Sequence, residues 1–288
     1  MQKFLVTLAA MALLGGACAA DSSTVTTSPG GGSSSPAGNA CDKASLNLVE
    51  PGTLTIATDD PGFLFPPWIL KHDPTSGKGY ESAVAYEVAK RLGFTPHEVK
   101  WVTVPFNKSY APGPKDFDFD INQISVTPDR EKAVTFSGSY YDVSQALVAT
   151  EGTPIASATT LAELKDYKFG AQVGTTSLDF INTVIQPTRQ SFVYDTTNDA
   201  KSALNARQVD GLVLDLPTAA YVSAVQIPGS TLVGQFESTG EHFGMLFEKD
   251  NPLATCVNSV LDDMRSAGTL DDYAKKYLSD YLGVPTIT

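Results

Sequence analysis

The sequence predicts an α/β protein in which parallel sheets are flanked by helices. Its 288 residues are 42% hydrophobic and 18% charged, a composition that supports a packed core. Short runs rich in β-branched residues alternate with amphipathic helical patterns in both halves of the chain. This alternation is typical of parallel sheets with helices on both faces.

Local signals set the limits of the elements. Gly93 ends the first helical stripe, Pro105 closes the second strand, and Thr127 can cap a helix whose first position is Pro128. The predicted strands are 54–58, 101–104, 119–126, 167–173 and 211–214, and the predicted helices cover 83–92, begin at Pro128 and near Leu178, and cover 199–206.

Residues 1–17 have the pattern of an export signal peptide. Lys3 supplies its positive charge, and Phe4 to Leu14 is an apolar segment too short for a stable membrane span. Two processing sites compete: a lipobox-like Gly15-Gly16-Ala17-Cys18, which would lipidate Cys18, and an A-x-A signal at Ala17-Cys18-Ala19, which would remove it. We expect a lipid-anchored extracytoplasmic protein, or a periplasmic or secreted one if Cys18 is not lipidated.

Residues 18–40 are predicted to contain the anchor cysteine and a flexible tether. Ser, Thr, Gly, Pro and Ala dominate the segment after Cys18, and this composition cannot bury enough apolar surface to fold. The alternative is a disordered leader with no anchoring role. The remaining 248 residues, 41–288, suit two lobes, and no apolar run after residue 17 approaches the roughly 20 residues of a spanning helix.

Charge and cysteine content narrow the partners. Lys and Arg number 20 against 32 Asp and Glu, and a net charge of −12 argues against nucleic acid and anionic lipid surfaces as partners. Cys41 and Cys256 in an exported chain predict a disulfide, with two buried free thiols as the alternative.

Three loops at strand ends carry polar groups that suit a ligand, because open α/β sheets bind ligands at the carboxyl ends of their strands. Gly174-Thr175-Thr176-Ser177 offers hydroxyls and backbone amides to an anion, although a capped helix without ligand would look the same. Arg130 follows Ser125 by five residues and can bind a carboxylate bidentately, or else pair with Asp129 or Glu131 on the surface. Asp215 ends a strand and can hold an ammonium group, or merely cap a turn.

Together these groups are complementary to the zwitterion that all free α-amino acids share. The run from Gly79 to Gly93, GYESAVAYEVAKRLG, resembles the signature of the family 3 extracellular solute-binding proteins of amino-acid ABC importers. The run from Ser125 to Tyr141, SVTPDREKAVTFSGSYY, is similar to the same family. The resemblance covers residues 50 to 282. One difference is Gln123, which stands where many members have a small residue.

The resemblance implies a two-lobed periplasmic-binding-protein fold of type II, with two hinge crossings near Val148 and Glu241. Residues 41–148 plus 241–288 would form lobe one, and 149–240 would form lobe two. The function implied is capture of a free, polar or cationic L-amino acid by cleft closure and its delivery to a membrane permease. The protein would be a monomer without cofactor, metal or nucleic acid.

The resemblance also implies roles for single residues. Arg130 would hold the ligand carboxylate with Ser125 and the Thr175-Thr176 loop, and Asp215 would take the ammonium. Gln123 stands where the family presents a backbone carbonyl to that ammonium.

Ligand specificity is expected from the loop of residues 59–68 and from Phe106. Phe63, Phe65 and Trp68 are unusually apolar for an exposed loop, although some could belong to the core. The family suggests aromatic contacts there and near Phe106. Asp59 and Asp60 could select a cationic side chain or cap the turn before Pro61.

Enzymatic motifs are missing from the sequence. His72, His97 and His242 lack the spacing of metal ligands, and no zinc-protease, serine-hydrolase or phosphate-loop pattern occurs. We therefore expect no catalysis. The alternative is an enzyme resembling cyclohexadienyl dehydratase on the same fold, for which Asp59, Asp60 and Glu81 are the candidate acids. A sensory or adhesive domain without transport is a third possibility.

Overall fold

The computed structural model describes residues 40–281 and 283–288. The predicted signal peptide, lipidation at Cys18 and almost all of the tether lie outside the described residues. Two sheets organise the described part, and their strands and helices alternate as predicted. The strands are β1 Leu54–Thr58, β2 Val99–Thr103, β3 Phe119–Asp120, β4 Thr135–Asp142, β5 Gln145–Thr150, β6 Phe169–Gln172, β7 Phe192–Tyr194, β8 Gly211–Asp215, β9 Ser230–Phe236, β10 His242–Phe247 and β11 Thr286–Ile287. The helices are α1 Tyr80–Arg91, α2 Phe106–Ser109, α3 Pro128–Glu131, α4 Thr176–Phe180, α5 Thr197–Asn205, α6 Leu216–Tyr221, α7 Leu253–Ser266 and α8 Thr269–Tyr277.

The first sheet has the strand order β2-β1-β3-β10-β4 and defines lobe one. Its β1, β2 and β3 are parallel, whereas β10 runs antiparallel to both β3 and β4. The second sheet, β11-β9-β5-β8-β6-β7, defines lobe two, and its β5 runs antiparallel to β8 and β9. The α/β class is confirmed, with mixed sheets. The antiparallel strands lie beside the hinge, where the chain enters each sheet from its neighbour.

The lobe limits differ from those predicted. β5 pairs with β8 and β9 along its whole length, so the first crossing lies between Asp142 and Gln145, and the predicted boundary at Val148 falls inside a strand of lobe two. The return crossing lies between Phe236 and His242, close to the predicted Glu241. A third crossing follows α8, because β11 pairs with β9. β5 is fully buried up to Ala149, and this apolar run needs pairing partners on both sides.

Predicted strand 119–126 is much shorter in the structure. Only Phe119–Asp120 forms a strand, and the chain then turns through Gln123, which has a positive φ of 45°. The residues that follow form the first of the polar loops. Thr127 caps α3 as predicted, since its side chain accepts a hydrogen bond from the Arg130 amide.

α1 begins where only glycine fits. Gly79 has a φ of 100°, and a Cβ there would lie 2.3 Å from the carbonyl oxygen of Trp68. This close approach fixes the loop of residues 59–68 against the start of α1. The buried face of α1 then packs against the lobe-one sheet with α7.

Cys41 and Cys256 form the predicted disulfide, with Cα atoms 5.3 Å apart. The bond joins the first described turn to the buried face of α7. It closes a loop with a sequence separation of 215 residues. In the chain-entropy model a loop of this size stabilises the folded state by about 5 kcal/mol.

We expect reduction of this disulfide to lower the free energy of unfolding by up to about 5 kcal/mol, because the unfolded chain regains its freedom. The measurement is denaturant unfolding of native protein with and without reductant, with the Cys41→Ala/Cys256→Ala variant as a control that reductant should not affect. Equal stability of the oxidised and reduced protein would contradict the expectation.

Candidate functional site

A cavity of about 180 Å³ lies between the two lobes. Lobe one contributes the loops after β1, β2 and β3, and lobe two contributes the segments after β6, β7 and β8. These are carboxyl ends of parallel strands, the edge at which α/β sheets bind ligands. The lining residues are Asp59, Phe63, Phe65, Pro105, Phe106, Asn107, Asn122, Gln123, Ser125, Gln172, Thr175, Thr176, Ser177, Asp195, Thr196, Thr197, Asn198, Val213, Leu214, Asp215 and Thr218.

Most of the predicted ligand residues meet at this cavity. Those that line it are Asp59, Phe65, Phe106, Gln123, Ser125, Thr175, Thr176 and Asp215. Arg130 does not line the cavity in this conformation. The loops that sequence analysis singled out separately are therefore neighbours in space.

Arg130 instead joins the two lobes. Its Nη1 donates to the carbonyl oxygen of Ser125 at 2.7 Å, and its Nη2 donates to that of Gly174 in lobe two at 2.9 Å. The guanidinium lies 4.7 Å from the centre of the Tyr110 ring and 5.5 Å from that of Phe106. These two hydrogen bonds use two of the five N–H groups of the guanidinium.

Gly174 is a glycine for a steric reason. Its φ is 72°, and a Cβ there would lie 2.4 Å from the Tyr110 hydroxyl oxygen. The bare backbone therefore lets lobe two approach lobe one closely. Directly after it, Thr175 caps α4 by accepting a hydrogen bond from the Leu178 amide at 3.2 Å.

A hydrogen-bonded cluster of four residues connects four chain segments beside the cavity. Gln145 Nε2 donates to Asp215 Oδ1 at 2.8 Å and to Glu241 Oε2 at 2.9 Å. Ser125 Oγ donates to Glu241 Oε1 at 2.6 Å. We call Ser125, Gln145, Asp215 and Glu241 the amino-end cluster. Ser177 supports it by donating to Gln145 Oε1 at 2.7 Å.

The amino-end cluster contains two neighbouring acidic side chains, Asp215 and Glu241. Asp215 borders the cavity but is otherwise enclosed by protein, and this burial raises the pKa of its carboxyl well above the usual range. The nearby Glu241 carboxylate raises that pKa further, while Gln145 and Arg130 oppose the shift. A cation in the cavity would relieve this charge repulsion.

Sequence analysis missed Gln145 as a site residue and considered Glu241 only as a hinge position. Gln145 is the direct register partner of Asp215 across β5 and β8. Glu241 reaches Ser125 because Ser125 and Phe243 form an antiparallel bridge at the start of β10. Both contacts depend on strand pairing between distant segments, which no local pattern encodes. The one available signal is that a polar Gln opens a strand that is otherwise apolar.

Gln123 binds a buried carboxyl beneath the cavity. Its backbone amide donates to Glu81 Oε1 at 2.6 Å, and its side-chain amide donates to Glu81 Oε2. Tyr140 also donates to Glu81 Oε1, at 2.5 Å. Glu81 is fully buried, and this burial raises its pKa to about 7. The network fixes the left-handed turn at Gln123, from which the loop to Ser125 continues.

The candidate acids of the enzymatic alternative occupy different places. Asp59 lines the cavity, accepts a hydrogen bond from the Asp60 amide at 2.8 Å, and has a pKa raised chiefly by burial. Asp60 does not line the cavity, and its carboxylate accepts from the Gly62 amide at 2.8 Å, as in a turn cap. Glu81 is enclosed below the cavity floor.

The aromatic loop of lobe one contacts lobe two directly. The Phe65 ring stacks on Tyr221 with centroids 5.7 Å apart and planes 5° apart, and the Lys201 ammonium lies 5.5 Å from the Phe65 ring centre. Burial lowers the pKa of Lys201 to about 8. Trp68, of the predicted specificity loop, belongs to the core and does not line the cavity. Its indole Nε1 donates to Thr218 Oγ1 at 2.8 Å.

The fold and the cleft define a two-lobed binding protein that encloses a small molecule between its lobes. The chain belongs to the bacterial extracellular solute-binding proteins, family 3, whose sequence profile matches residues 54–280. Among residues 40–281 and 283–288, no helix has both the length and the apolar character to cross a membrane.

Three known proteins illustrate the similarity. The ABC transporter glutamine-binding protein of Bacillus subtilis is 27% identical, over 72% of this chain and 76% of its own. The lysine/arginine/ornithine-binding periplasmic protein of Escherichia coli is 27% identical, over 79% and 88%. The crystal structure of an ancestral amino-acid-binding protein, a precursor of cyclohexadienyl dehydratase, has a TM-score of 0.65 and 25% identity, over 79% of this chain and 96% of that chain.

We expect Glu81→Gln to weaken the pH dependence of stability. The pKa of Glu81 in the folded protein is about 7 against an ordinary 4.5, so its contribution is complete below about pH 4.5 and is lost as the pH rises through about 7. As the pH rises from about 4.5 to about 7, the free energy of unfolding should therefore fall by about 3 kcal/mol less in the variant than in the native protein. Denaturant unfolding between pH 4.5 and 8 measures the difference.

The matched control is Glu151→Gln, the same substitution at an exposed position. The native protein and this control should share one pH profile. The expectation is wrong if Glu81→Gln also follows that profile.

Proposed function

We propose that the chain captures a free L-amino acid between its lobes and delivers it to the permease of an ABC importer. The observation that carries this proposal is the pairing of opposite charges at one cavity. Asp215 of lobe two borders the cavity, and Arg130 of lobe one lies just behind the Ser125 loop that lines it. A zwitterion satisfies both charges only when the lobes are together. Membership of the family supports solute binding, and the amino-acid-binding relatives support this class of ligand.

The ligand carboxylate is assigned to Arg130 with the hydroxyls of the Thr175-Thr176 loop. The guanidinium keeps three N–H groups beyond its two bonds to carbonyl oxygens. Ser125 donates its proton to Glu241. For Ser125 to donate to the carboxylate, as the family resemblance implies, that hydrogen bond would have to break. While it persists, Ser125 can only accept, which suits an ammonium group.

The side chain of the ligand is assigned to the end of the cavity near Asp59. Phe63, Phe65 and Phe106 supply apolar walls there, and Asp59 supplies a carboxylate. This combination suits a polar or cationic side chain with an aliphatic stem. One of the similar proteins is named for glutamine and another for lysine, arginine and ornithine, which together span this range.

We propose further that the protein acts as a monomer outside the cytoplasm, held at the membrane through Cys18 if the lipobox is processed. The signal-peptide pattern of residues 1–17 and the family role support this location. The proposed protein is a receptor and not an enzyme. The dehydratase alternative has support from the similar ancestral precursor, and Asp59 is the acid that would face its substrate. Incubation with arogenate or prephenate would reveal aromatic product if that alternative holds.

We expect Arg130→Ala to weaken amino-acid binding by 30-fold or more, because loss of a buried charge partner costs on the order of 2 to 5 kcal/mol. The ligand is first identified by native mass spectrometry of the purified protein, and its affinity is then measured by calorimetry. Arg130→Lys keeps the charge but loses bidentate geometry, so it should bind with intermediate affinity.

The control for these variants is Arg189→Ala, which removes an exposed arginine of lobe two. It should bind as tightly as the native protein. Near-native affinity of folded Arg130→Ala would overturn the carboxylate assignment.

We expect closure to require the ammonium of the ligand as well as its carboxylate. Small-angle scattering should show a smaller radius of gyration with the cognate amino acid, and no change with its des-amino analogue, because only the zwitterion binds both lobes. If the analogue compacts the protein equally, Asp215 does not hold the ammonium.

A further inference from the structure

We propose that Glu241 forms with Asp215 a two-carboxylate site for the ligand ammonium, and that ligand binding expels one proton from this pair. The inference rests on the proposed function and adds a residue and a proton step to it. In the empty protein the pair holds one proton, on Asp215. When the ammonium enters, that proton leaves to solvent, and the cation balances both carboxylates.

The two carboxylates accept hydrogen bonds from the same donor group. The same nitrogen, Gln145 Nε2, donates to Asp215 Oδ1 at 2.8 Å and to Glu241 Oε2 at 2.9 Å, so these two oxygens lie no more than about 5.7 Å apart. An amide NH₂ group has two hydrogens, one for each carboxylate. Asp215 also lines the cavity.

Glu241 also determines what Ser125 can offer. The Ser125 hydroxyl donates to Glu241 Oε1 at 2.6 Å, which commits its one proton. The Ser125 oxygen, which lines the cavity, is then an acceptor. Glu241 thereby positions Ser125 and Asp215 as two acceptors for the three hydrogens of an ammonium group.

Electrostatic repulsion between the two carboxylates is the reason for the proposed proton release. Two carboxylates this close in an enclosed site do not both ionise without a cation, because their repulsion is weakly screened. The charged or titratable groups acting on Asp215 are Glu241, Arg130, Glu81 and Tyr141. Arg130 is the cation among them, and its positive charge favours ionisation of Asp215. Pairing of Arg130 with the ligand carboxylate would offset that effect. The ligand ammonium then stabilises the ionised form of Asp215 instead.

Calorimetry at pH 7 tests the inference by counting the protons released when the ligand binds. The probe is the amino acid, of the twenty standard L-amino acids, that gives the largest thermal shift. Its binding enthalpy is measured in phosphate and in Tris, whose ionisation enthalpies differ, and the slope against ionisation enthalpy counts the protons released. We expect release of 0.5 to 1 proton per ligand by the native protein.

Glu241→Gln should release fewer protons than the native protein and bind about tenfold more weakly, because it removes the Glu241 repulsion that adds to burial in keeping Asp215 protonated. Glu241→Asp restores the carboxylate and should restore proton release even if its affinity stays reduced. Glu237→Gln, the same substitution at an exposed position, should match the native protein. A structural role alone would lower affinity in Glu241→Gln without changing the proton count.

The outcomes separate the two proposals. If no standard amino acid binds, the proposed function fails and the inference fails with it. If an amino acid binds and the native protein releases no proton, or Glu241→Gln releases as many as the native protein, the inference alone is overturned. Should Glu241→Gln not fold, the proton counts of the native protein and of Glu241→Asp still decide.

Discussion

The cost of keeping acidic groups away from water governs the region where the two lobes meet. Glu81, Asp215 and Glu241 approach the same region from three separate segments, and each needs donors to remain there. Tyr140 and Gln123 serve Glu81, while Gln145 and Ser125 serve the other two. The polar residues around the cavity are therefore hydrogen-bonded to one another. Their side chains are held in place by one another.

These hydrogen bonds distinguish the floor of the cavity from its walls, because they connect different parts of the protein. The floor rests on Glu81, a buried group of lobe one whose partners all belong to that lobe. The amino-end cluster, by contrast, takes Ser125 from lobe one, Asp215 and Gln145 from lobe two, and Glu241 from the hinge. The floor can thus stay rigid while the lobes move, whereas the cluster depends on groups of both lobes and of the hinge. In the proposed function, recognition of the ammonium is therefore coupled to closure of the cleft.

Much of the fold could be predicted from local sequence. The strand at 54–58 and the Thr127-Pro128 helix start are encoded by neighbouring residues, and an exported chain with two cysteines in its folded part predicts their pairing. Most of the ligand residues predicted from loops at strand ends do line the cavity, because the carboxyl edge of a parallel sheet collects them. Gln145 and Glu241 escaped because their roles arise from antiparallel pairing between segments that are distant in the sequence. Trp68 was misleading for a related reason: its ring belongs to the core although its sequence neighbours form a loop.

The contacts that bridge the lobes have a consequence for selectivity. Phe65 on Tyr221, Trp68 on Thr218 and Arg130 on the Gly174 carbonyl are contacts between protein groups alone. They stabilise every state in which the lobes are together, whatever the ligand, and so reduce the conformational free energy that any ligand must supply. Because this reduction is the same for all ligands, it strengthens binding without improving discrimination between amino acids.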